Sequence, residues 1–299
     1  MVQKNKKQST SKRILAIFAF ILITSGLVLA AIKLQQSDLK PKIAVIPIKG
    51  EIGFSDSTDP IYITKTLQKI DEDVRYKAII LDINSPGGSV VASKQIAEAI
   101  KRTKKPIVAL IREVGASGAL WVAVSADKVV ADPASITGSI GVTASYLSFE
   151  KLMEKYGITY NRLVTGEYKD IGSPYKELTP KEKEKLMEKI EYIKNIFVQV
   201  IAENRNLSKE FVENISTGEI WLGVEAQKYG IVDYLGGEEE AKMVAEKLAN
   251  ITNAKLQIIE KKITIENLFT GNENSFAYWF GKGFAAAFIN LKVNSVLLN

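Results

Sequence analysis

The sequence predicts an α/β domain built on a largely parallel sheet, and three observations support this fold class. Short, continuously apolar segments alternate along the chain with segments whose apolar residues recur at helical spacing. Strands that are apolar at successive positions are typical of parallel sheets covered by helices on both faces. Two glycine-rich breaks directly follow apolar strands, and open α/β sheets bind their ligands at this end.

The order of the predicted elements agrees with this class. Strands are predicted at residues 43–48, 78–83, 106–111, 128–131 and 256–259, and helices at 60–74, 89–101, 180–205 and 238–249. Asp59 before Pro60, and Thr179 before Pro180, have the residue types that begin helices. A compact turn-helix-turn unit is predicted at residues 221–233.

Composition excludes several classes of site. The chain contains no histidine and no cysteine, so it has no Ser-His-Asp triad, no disulfide framework and no metal site that relies on imidazole or thiolate. A nucleophilic serine would need a lysine, a carboxylate or an N-terminal amine as its base.

The positive charge is concentrated at the N-terminus. Five of the 40 basic residues lie within residues 1–13, before the first acidic residue, and the rest of the chain has 35 basic and 34 acidic residues. A nearly neutral body does not indicate a nucleic-acid partner.

The apolar run that follows predicts a membrane anchor. Residues 14–32 are interrupted only by Thr24, Ser25 and Gly26, and 19 residues of helix span about 28 Å, close to the thickness of a bilayer core. An uncleaved signal anchor is favoured over a cleaved signal peptide, because the apolar run is long and the residues at its end match the small-x-small cleavage pattern poorly. The positive-inside rule then places residues 1–13 in the cytoplasm and the body outside.

The predicted organisation therefore has five parts. They are a basic cytoplasmic N-terminus (1–13), a transmembrane signal anchor (14–32), a linker (33–41), a catalytic domain (42–260) and an apolar C-terminal tail (261–299). The apolar tail has three possible contact surfaces: the domain itself, a second subunit and the membrane surface. The sequence does not distinguish between them.

The stretch Gly-Ala-Ser-Gly-Ala at residues 115–119 follows the third predicted strand and contains the candidate nucleophile, Ser117. Glycines on either side of a serine allow a sharp strand-to-helix turn that exposes its hydroxyl. The N–H groups of Gly87, Gly88 and Gly118 are candidates for an oxyanion hole. Lys169, in a turn-rich segment, is the candidate general base, which requires its ammonium to lose a proton near neutral pH. Ser139 is a candidate to orient the lysine amine.

Five motifs in order resemble the signal peptide peptidase A family, in its short single-repeat form, a group of Ser-Lys proteases in the Clp protease/crotonase superfamily. They are Asp-x-Asn-Ser-Pro-Gly-Gly at 82–88, Gly-Ala-Ser-Gly at 115–118, Thr-Gly-Ser-Ile-Gly at 137–141, Tyr-Lys-Asp at 168–170 and Trp-x-Gly-x-x-Ala-x-x-x-Gly-x-x-Asp at 221–233. With the anchor, the resemblance extends over residues 40–240. Ser117-Gly118 is followed here by Ala-Leu-Trp, whereas the family often has bulkier aromatic residues after its Ser-Gly pair. The resemblance therefore does not extend to the specificity pocket.

The resemblance implies a Clp/crotonase-like β-α superhelix and a specific chemistry. It implies Ser117 as nucleophile, Lys169 as general base, Ser139 as the lysine-orienting residue, and Gly87, Gly88 and Gly118 at the oxyanion hole. It further implies a homo-oligomer on the outer side of the cell membrane that hydrolyses remnant signal peptides without metal or cofactor.

Three alternatives stay open. A stomatin-cleaving membrane protease uses the same chemistry with a shorter serine-to-lysine spacing. A crotonase-type acyl-CoA enzyme shares the fold but is usually soluble and uses carboxylates. An anchored, non-catalytic scaffold would not need the serine, the lysine and the second serine together.

Overall fold

Eight strands and eight helices lie between residues 40 and 260 of the computed structural model, which describes residue 20 and residues 23–26, 40–54 and 58–260. The strands are β1 (Lys42–Lys49), β2 (Tyr76–Ser85), β3 (Ile107–Gly115), β4 (Lys128–Ala131), β5 (Ile136–Gly138), β6 (Ile220–Leu222), β7 (Tyr234–Leu235) and β8 (Lys255–Ile258). The helices are α1 (Pro60–Glu72), α2 (Val90–Arg102), α3 (Gly118–Val124), α4 (Glu150–Lys155), α5 (Pro180–Arg205), α6 (Lys209–Ile215), α7 (Gly223–Lys228) and α8 (Glu238–Ala249).

The strands form one sheet in the order β6-β5-β3-β2-β1-β8, with β4 paired to β3 and β7 paired to β4. Every pairing is parallel except that of β5 with β6. Parallel neighbours bring the carboxyl ends of β2 and β3 to the same edge, where Ser85 pairs with Gly115. The glycine-rich segments that follow these two strands are therefore adjacent.

Alternate residues of the central strands point to opposite faces of the sheet, and both faces are buried. On one face, Ala44, Ile46, Ile79 and Leu81 pack in the larger core with residues of α1, α2, α3 and α5. On the other face, Ile43, Val45, Ala78 and Ile80 pack against α8 through Ala241, Val244 and Ala245. Burial on both faces explains why these strands are apolar at successive positions.

The predicted α/β class is confirmed. The structure differs from the prediction mainly in short strands and helices that the sequence did not indicate. The strands β5, β6 and β7 have only two or three residues each, too short for a periodic pattern to indicate them. Helix α4 is similarly short and has no buried residue among its six.

Within the described part of the chain, no helix has the length and apolar character needed to cross a bilayer. Most of the predicted anchor at 14–32 lies outside the described residues, as does the predicted tail at 261–299.

The predicted turn-helix-turn unit at 221–233 is held to the sheet by its last residue, Asp233. The carboxylate accepts hydrogen bonds from Lys128 Nζ at 3.0 Å and Val129 N at 2.8 Å, and it forms an ion pair with Arg205 Nη2 at 2.8 Å. Arg205 at the end of α5 is only 8% exposed. One carboxylate thus joins β4, α5 and the segment before β7, which accounts for the aspartate of the motif without a role in chemistry.

Replacing Asp233 with alanine is expected to lower the free energy of unfolding by about 3–5 kcal/mol, because it leaves the nearly buried Arg205 without its counter-ion. Chemical denaturation of the full-length protein, followed by tryptophan fluorescence, measures this. The matched control is Glu188→Ala, which breaks the exposed Lys185–Glu188 pair and should change the same free energy by about 0.5 kcal/mol or less. Equal losses in the two variants would contradict the assignment.

Candidate active site

Ser117 lies in the sharp turn between β3 and α3. Its φ of 53° and ψ of −122° place a non-glycine residue in a sparsely populated backbone region, a state that costs on the order of 1–3 kcal/mol. The turn is fixed by the Ser117 N–H, which donates to Gly138 O at 2.9 Å, and by the Ser117 carbonyl, which accepts from Trp121 N at 3.0 Å. Ser117 is half-buried between the buried Ala116 and Gly118. This is the geometry that presents a serine hydroxyl at the end of a sheet.

Helix α3 anchors the turn in the core. All seven of its residues are buried, and the Trp121 ring stacks on Phe197 of α5 with centroids 4.9 Å apart. Because the helix that begins at Gly118 is packed on every side, the turn before it has little freedom to relax. The strained conformation of Ser117 is therefore maintained by the fold.

The glycines predicted for the oxyanion hole meet at Ser117. A Cβ added to Gly87 would lie 2.7 Å from Gly118 N and 2.9 Å from Ser117 Cβ, so only glycine allows this approach. The position of a Cβ on Gly118 is 3.4 Å from Gly88 N, so the backbone of Gly88 lies next to that of Gly118.

The three amides differ in what they already bind. Gly87 N donates to Ser85 Oγ at 3.2 Å. The N–H groups of Gly88 and Gly118 have no acceptor among the described residues. Two free amides beside a serine hydroxyl are the arrangement that stabilises an oxyanion, whereas Gly87 contributes space.

The segment containing Ser139 lies against the same turn. Thr137 Oγ1 donates to Gly115 O at 2.7 Å, and the carbonyl of Gly138 binds the N–H of Ser117. Ser139 itself is half-buried, has a φ of 52°, and donates its N–H to Glu219 O at 2.6 Å. Ser139 is thus one residue from the carbonyl that holds Ser117.

Lys169 is the predicted site residue that the structure does not bring to this cluster. It lies exposed in a series of turns, where its N–H donates to Gly166 O at 3.2 Å. Within residues 40–54 and 58–260, its ammonium forms no hydrogen bond or ion pair, and so none with Ser117 or Ser139.

Charged residues around Lys169 are strongly paired. Asp170 receives two hydrogen bonds from the guanidinium of Arg162, and these bonds hold the pKa of Asp170 below its usual value. Lys176 Nζ lies 2.5 Å from Oε1 of the buried Glu182, and this hydrogen bond holds the pKa of Glu182 below its usual value.

Sequence reasoning missed residues that build the site through their hydrogen bonds. Asn84 Oδ1 accepts from Val114 N at 3.2 Å, and buried Ser85 binds the N–H of Gly87. Both lie in the glycine-rich motif at 82–88, which is the signal that would have found them. Arg162 lies in no motif, and no local pattern identifies it.

Comparison with known proteins now identifies the family. The sequence profile of peptidase family S49 matches residues 99–252, and that of the NfeD1b N-terminal domain matches residues 42–146. A Methanocaldococcus jannaschii protein assigned as a protease is 36% identical over 254 residues, 81% of each chain. The chain belongs to peptidase family S49.

Two further relatives place this S49 peptidase in the signal peptide peptidase A group. Protease 4 of Haemophilus influenzae is 33% identical over 73% of this chain, and the match spans 36% of that protein. The chloroplastic serine protease SPPA of Arabidopsis thaliana is 31% identical over 74% of this chain, spanning 34% of its own length. The predicted family is thereby confirmed, and the enzyme is a serine peptidase.

Solved structures confirm the α/β fold. A serine-to-alanine mutant of the 1510-N membrane-bound stomatin-specific protease matches 75% of this chain and 99% of that one, with a TM-score of 0.50 and 16% identity. A lysine-to-alanine mutant of the same protease, in complex with a substrate peptide, matches 75% of this chain and 94% of that one, with a TM-score of 0.51 and 17% identity.

Gly87→Ala is expected to reduce kcat/KM on the order of 100-fold, because its Cβ would displace the backbone at Ser117 and Gly118. The measurement is peptide cleavage by the purified full-length variant. Gly157→Ala is the matched control, since Gly157 also has a positive φ but nothing lies within 4 Å of its added Cβ. A similar loss of activity in both variants would show that backbone strain alone, and not the contact with Ser117, is responsible.

Proposed function

We propose that this S49 peptidase is a membrane-anchored endopeptidase that hydrolyses remnant signal peptides through Ser117 and Lys169. The observation that carries the proposal is the strained Ser117 turn beside two free amides. A half-buried serine in such a position has hydrogen-bond donors nearby for the negative charge that develops on a carbonyl oxygen.

In the proposed reaction, Ser117 Oγ attacks the carbonyl carbon of the scissile peptide bond while Lys169 Nζ takes the hydroxyl proton. The carbonyl oxygen gains negative charge and accepts hydrogen bonds from Gly88 N–H and Gly118 N–H, with each donor contributing about 3 kcal/mol. The tetrahedral intermediate collapses as Lys169 returns the proton to the leaving amine, and an acyl-enzyme forms. Water then hydrolyses the acyl-enzyme with Lys169 again as base.

This chemistry requires Lys169 Nζ to come within about 3 Å of a Ser117 Oγ, and the exposed segment around it points to assembly. Residues 141–178 expose many large apolar side chains, which on a water-soluble surface usually mark a contact with another protein. They include Tyr146, Leu147, Phe149, Leu152, Tyr156, Ile158, Tyr160, Leu163 and Tyr175. A homo-oligomer that covers this segment is the proposed active form.

The proposed substrates and location rest on the relatives and on the N-terminal sequence. An Enterococcus faecium protein 34% identical over 222 residues carries the name signal peptide peptidase SppA. The basic N-terminus and the apolar run at 14–32 support a single-pass anchor with the N-terminus in the cytoplasm and the catalytic domain outside.

A second candidate is a protease that cleaves a stomatin-like partner. The observation that favours it is the match to the 1510-N fold over 75% of this chain. Cleavage of a stomatin-derived peptide in preference to an apolar signal peptide would select this candidate. The proposed residues and chemistry would remain the same.

Ser117→Ala and Lys169→Ala are each expected to lower kcat for a signal-peptide substrate by a factor of 1,000 or more, because each removes a reacting group. Lys169→Arg should also abolish cleavage, because a guanidinium stays protonated and cannot serve as a general base. The full-length protein in detergent is assayed by mass spectrometry of the products.

Lys185→Ala, which removes an exposed lysine of α5, is the control and should retain wild-type activity. Cleavage that survives Ser117→Ala would contradict the nucleophile, and a pH profile shared by the wild type and Lys169→Arg would contradict the base. Activity restored by assembling Ser117→Ala and Lys169→Ala chains together would show that the two groups meet across a subunit contact.

A further inference from the structure

The turn that carries Lys169 is tethered on both sides, although Lys169 itself has no side-chain partner among the described residues. Its backbone forms three successive turns, with hydrogen bonds from Lys169 N to Gly166 O, from Ile171 N to Tyr168 O and from Ser173 N to Asp170 O. An exposed segment with only such short-range bonds is usually mobile. Here, side-chain contacts add long-range restraints to it.

Arg162 provides the first restraint. Its Nε donates to Asp170 Oδ2 at 2.7 Å and its Nη2 to Asp170 Oδ1 at 2.8 Å, which is a bidentate pair. The same Nη2 donates to the carbonyl of Glu167 at 3.1 Å. One guanidinium therefore binds the residue directly after Lys169 and the residue two positions before it.

The N-terminus of α5 provides the second restraint. Lys181 Nζ bonds to Glu167 Oε1 at 2.8 Å and lies 5.6 Å from the centre of the Tyr168 ring. Lys176 Nζ lies 3.9 Å from Asp170 Oδ1 and 2.5 Å from the buried Glu182. Glu182 also forms a capping box with Thr179, so these contacts connect the Lys169 turn to the start of a 26-residue helix.

Among the described residues, the ion pairs of this cluster leave Lys169 without a counter-ion. The titratable or charged groups around the turn are Tyr160, Arg162, Glu167, Tyr168, Asp170, Lys176, Lys181, Glu182 and Lys185. Each carboxylate among them is paired with a cation other than Lys169. Asp170 directly follows Lys169 in the sequence, and a less neutralised Asp170 carboxylate would favour the ammonium form of its neighbour.

We propose that Arg162 and Asp170 are positioning residues for Lys169: their bidentate pair fixes the turn and keeps the Asp170 carboxylate from pairing with the lysine. This inference rests on the proposed function, because it takes Lys169 as the general base. It assigns two roles to one ion pair. The mechanical role affects kcat, and the electrostatic role affects the pH at which the base becomes active.

The two roles predict opposite pH shifts for two single substitutions. Arg162→Gln removes the bidentate partner of Asp170 and leaves only Lys176, 3.9 Å from Asp170 Oδ1, beside the carboxylate. The less neutralised carboxylate stabilises the Lys169 ammonium, so the acidic limb of the pH profile of kcat/KM should move to higher pH by about half a pH unit or more. Asp170→Asn leaves the Arg162 cation, which destabilises the ammonium, so the limb should move down by a similar amount. In both variants, kcat should fall about tenfold because the turn is no longer fixed.

The double variant Arg162→Gln/Asp170→Asn separates the two roles. Its acidic limb should return close to the wild-type position, because neither unpaired charge remains, while kcat stays low. A pair with only a structural role would lower the melting temperature and kcat without moving the limb in opposite directions. Melting temperature is therefore measured for each variant alongside kcat and kcat/KM from pH 6 to pH 10, with a fluorogenic apolar peptide as substrate.

Arg75 and Asp73 form a matched control pair directly before β2. Ser85 lies at the other end of this strand. Arg75 also binds its aspartate in a bidentate manner, with Nε–Oδ1 at 3.0 Å and Nη2–Oδ2 at 2.6 Å, and holds the pKa of Asp73 at about 2. Arg75→Gln and Asp73→Asn should leave both kcat and the acidic limb unchanged.

The outcomes distinguish this inference from the proposed function. Full activity in Lys169→Ala would overturn the base assignment and the inference with it. An inactive Lys169→Ala, together with wild-type kcat and pH limbs in the Arg162 and Asp170 variants, would overturn the inference alone. Limbs that move in the same direction in both single variants would also overturn it.

Discussion

The close approach of two backbone segments, at Gly87 and Ser117, is the constraint on which the rest of the site depends. The space for a Cβ on Gly87 is already taken by Gly118 N, Ala116 O and Ser117 Cβ, all within 3 Å. Without this approach, the backbones of Gly88 and Gly118 would not lie next to each other. The strained backbone of Ser117 and the positive φ angles at Gly87 and Gly88 follow from the same packing.

The parallel sheet makes this approach achievable. Pairing of β2 with β3 places Ser85 opposite Gly115, so the two glycine-rich segments begin side by side. Core burial on both faces of these strands, together with the fully buried α3, fixes where each segment starts and ends. The stability of the apolar layers thus maintains a backbone conformation that would be unfavourable in an isolated turn.

Sequence reasoning predicted the parts of this design that are local or periodic. The long strands and helices have clear apolar patterns, and glycine at 87, 88 and 118 is a direct sign of close backbone approach. It did not predict β5, β6 or β7, because their pairing is decided by contacts far apart in the chain, such as Thr137 with Trp221. The Arg162–Asp170 pair escaped prediction for a related reason: the two residues are eight positions apart in a segment without regular structure, so no periodic pattern brings them together.

The two halves of the proposed catalytic site differ in how they are built. The core of one chain fixes the turn at Ser117 and the backbone of Gly118 beside it, which are the parts that the proposed reaction assigns to the nucleophile and the oxyanion hole. The lysine is held in a defined turn but lies on a surface with many exposed apolar side chains, away from the contacts of Ser117. Under the proposed function, assembly brings the base to the nucleophile, and the separate chain would be protected from premature cleavage because Lys169 makes no contact with Ser117 among the described residues. The ion pairs around Lys169 fit this division, because a turn that must enter another contact surface intact gains from being fixed beforehand.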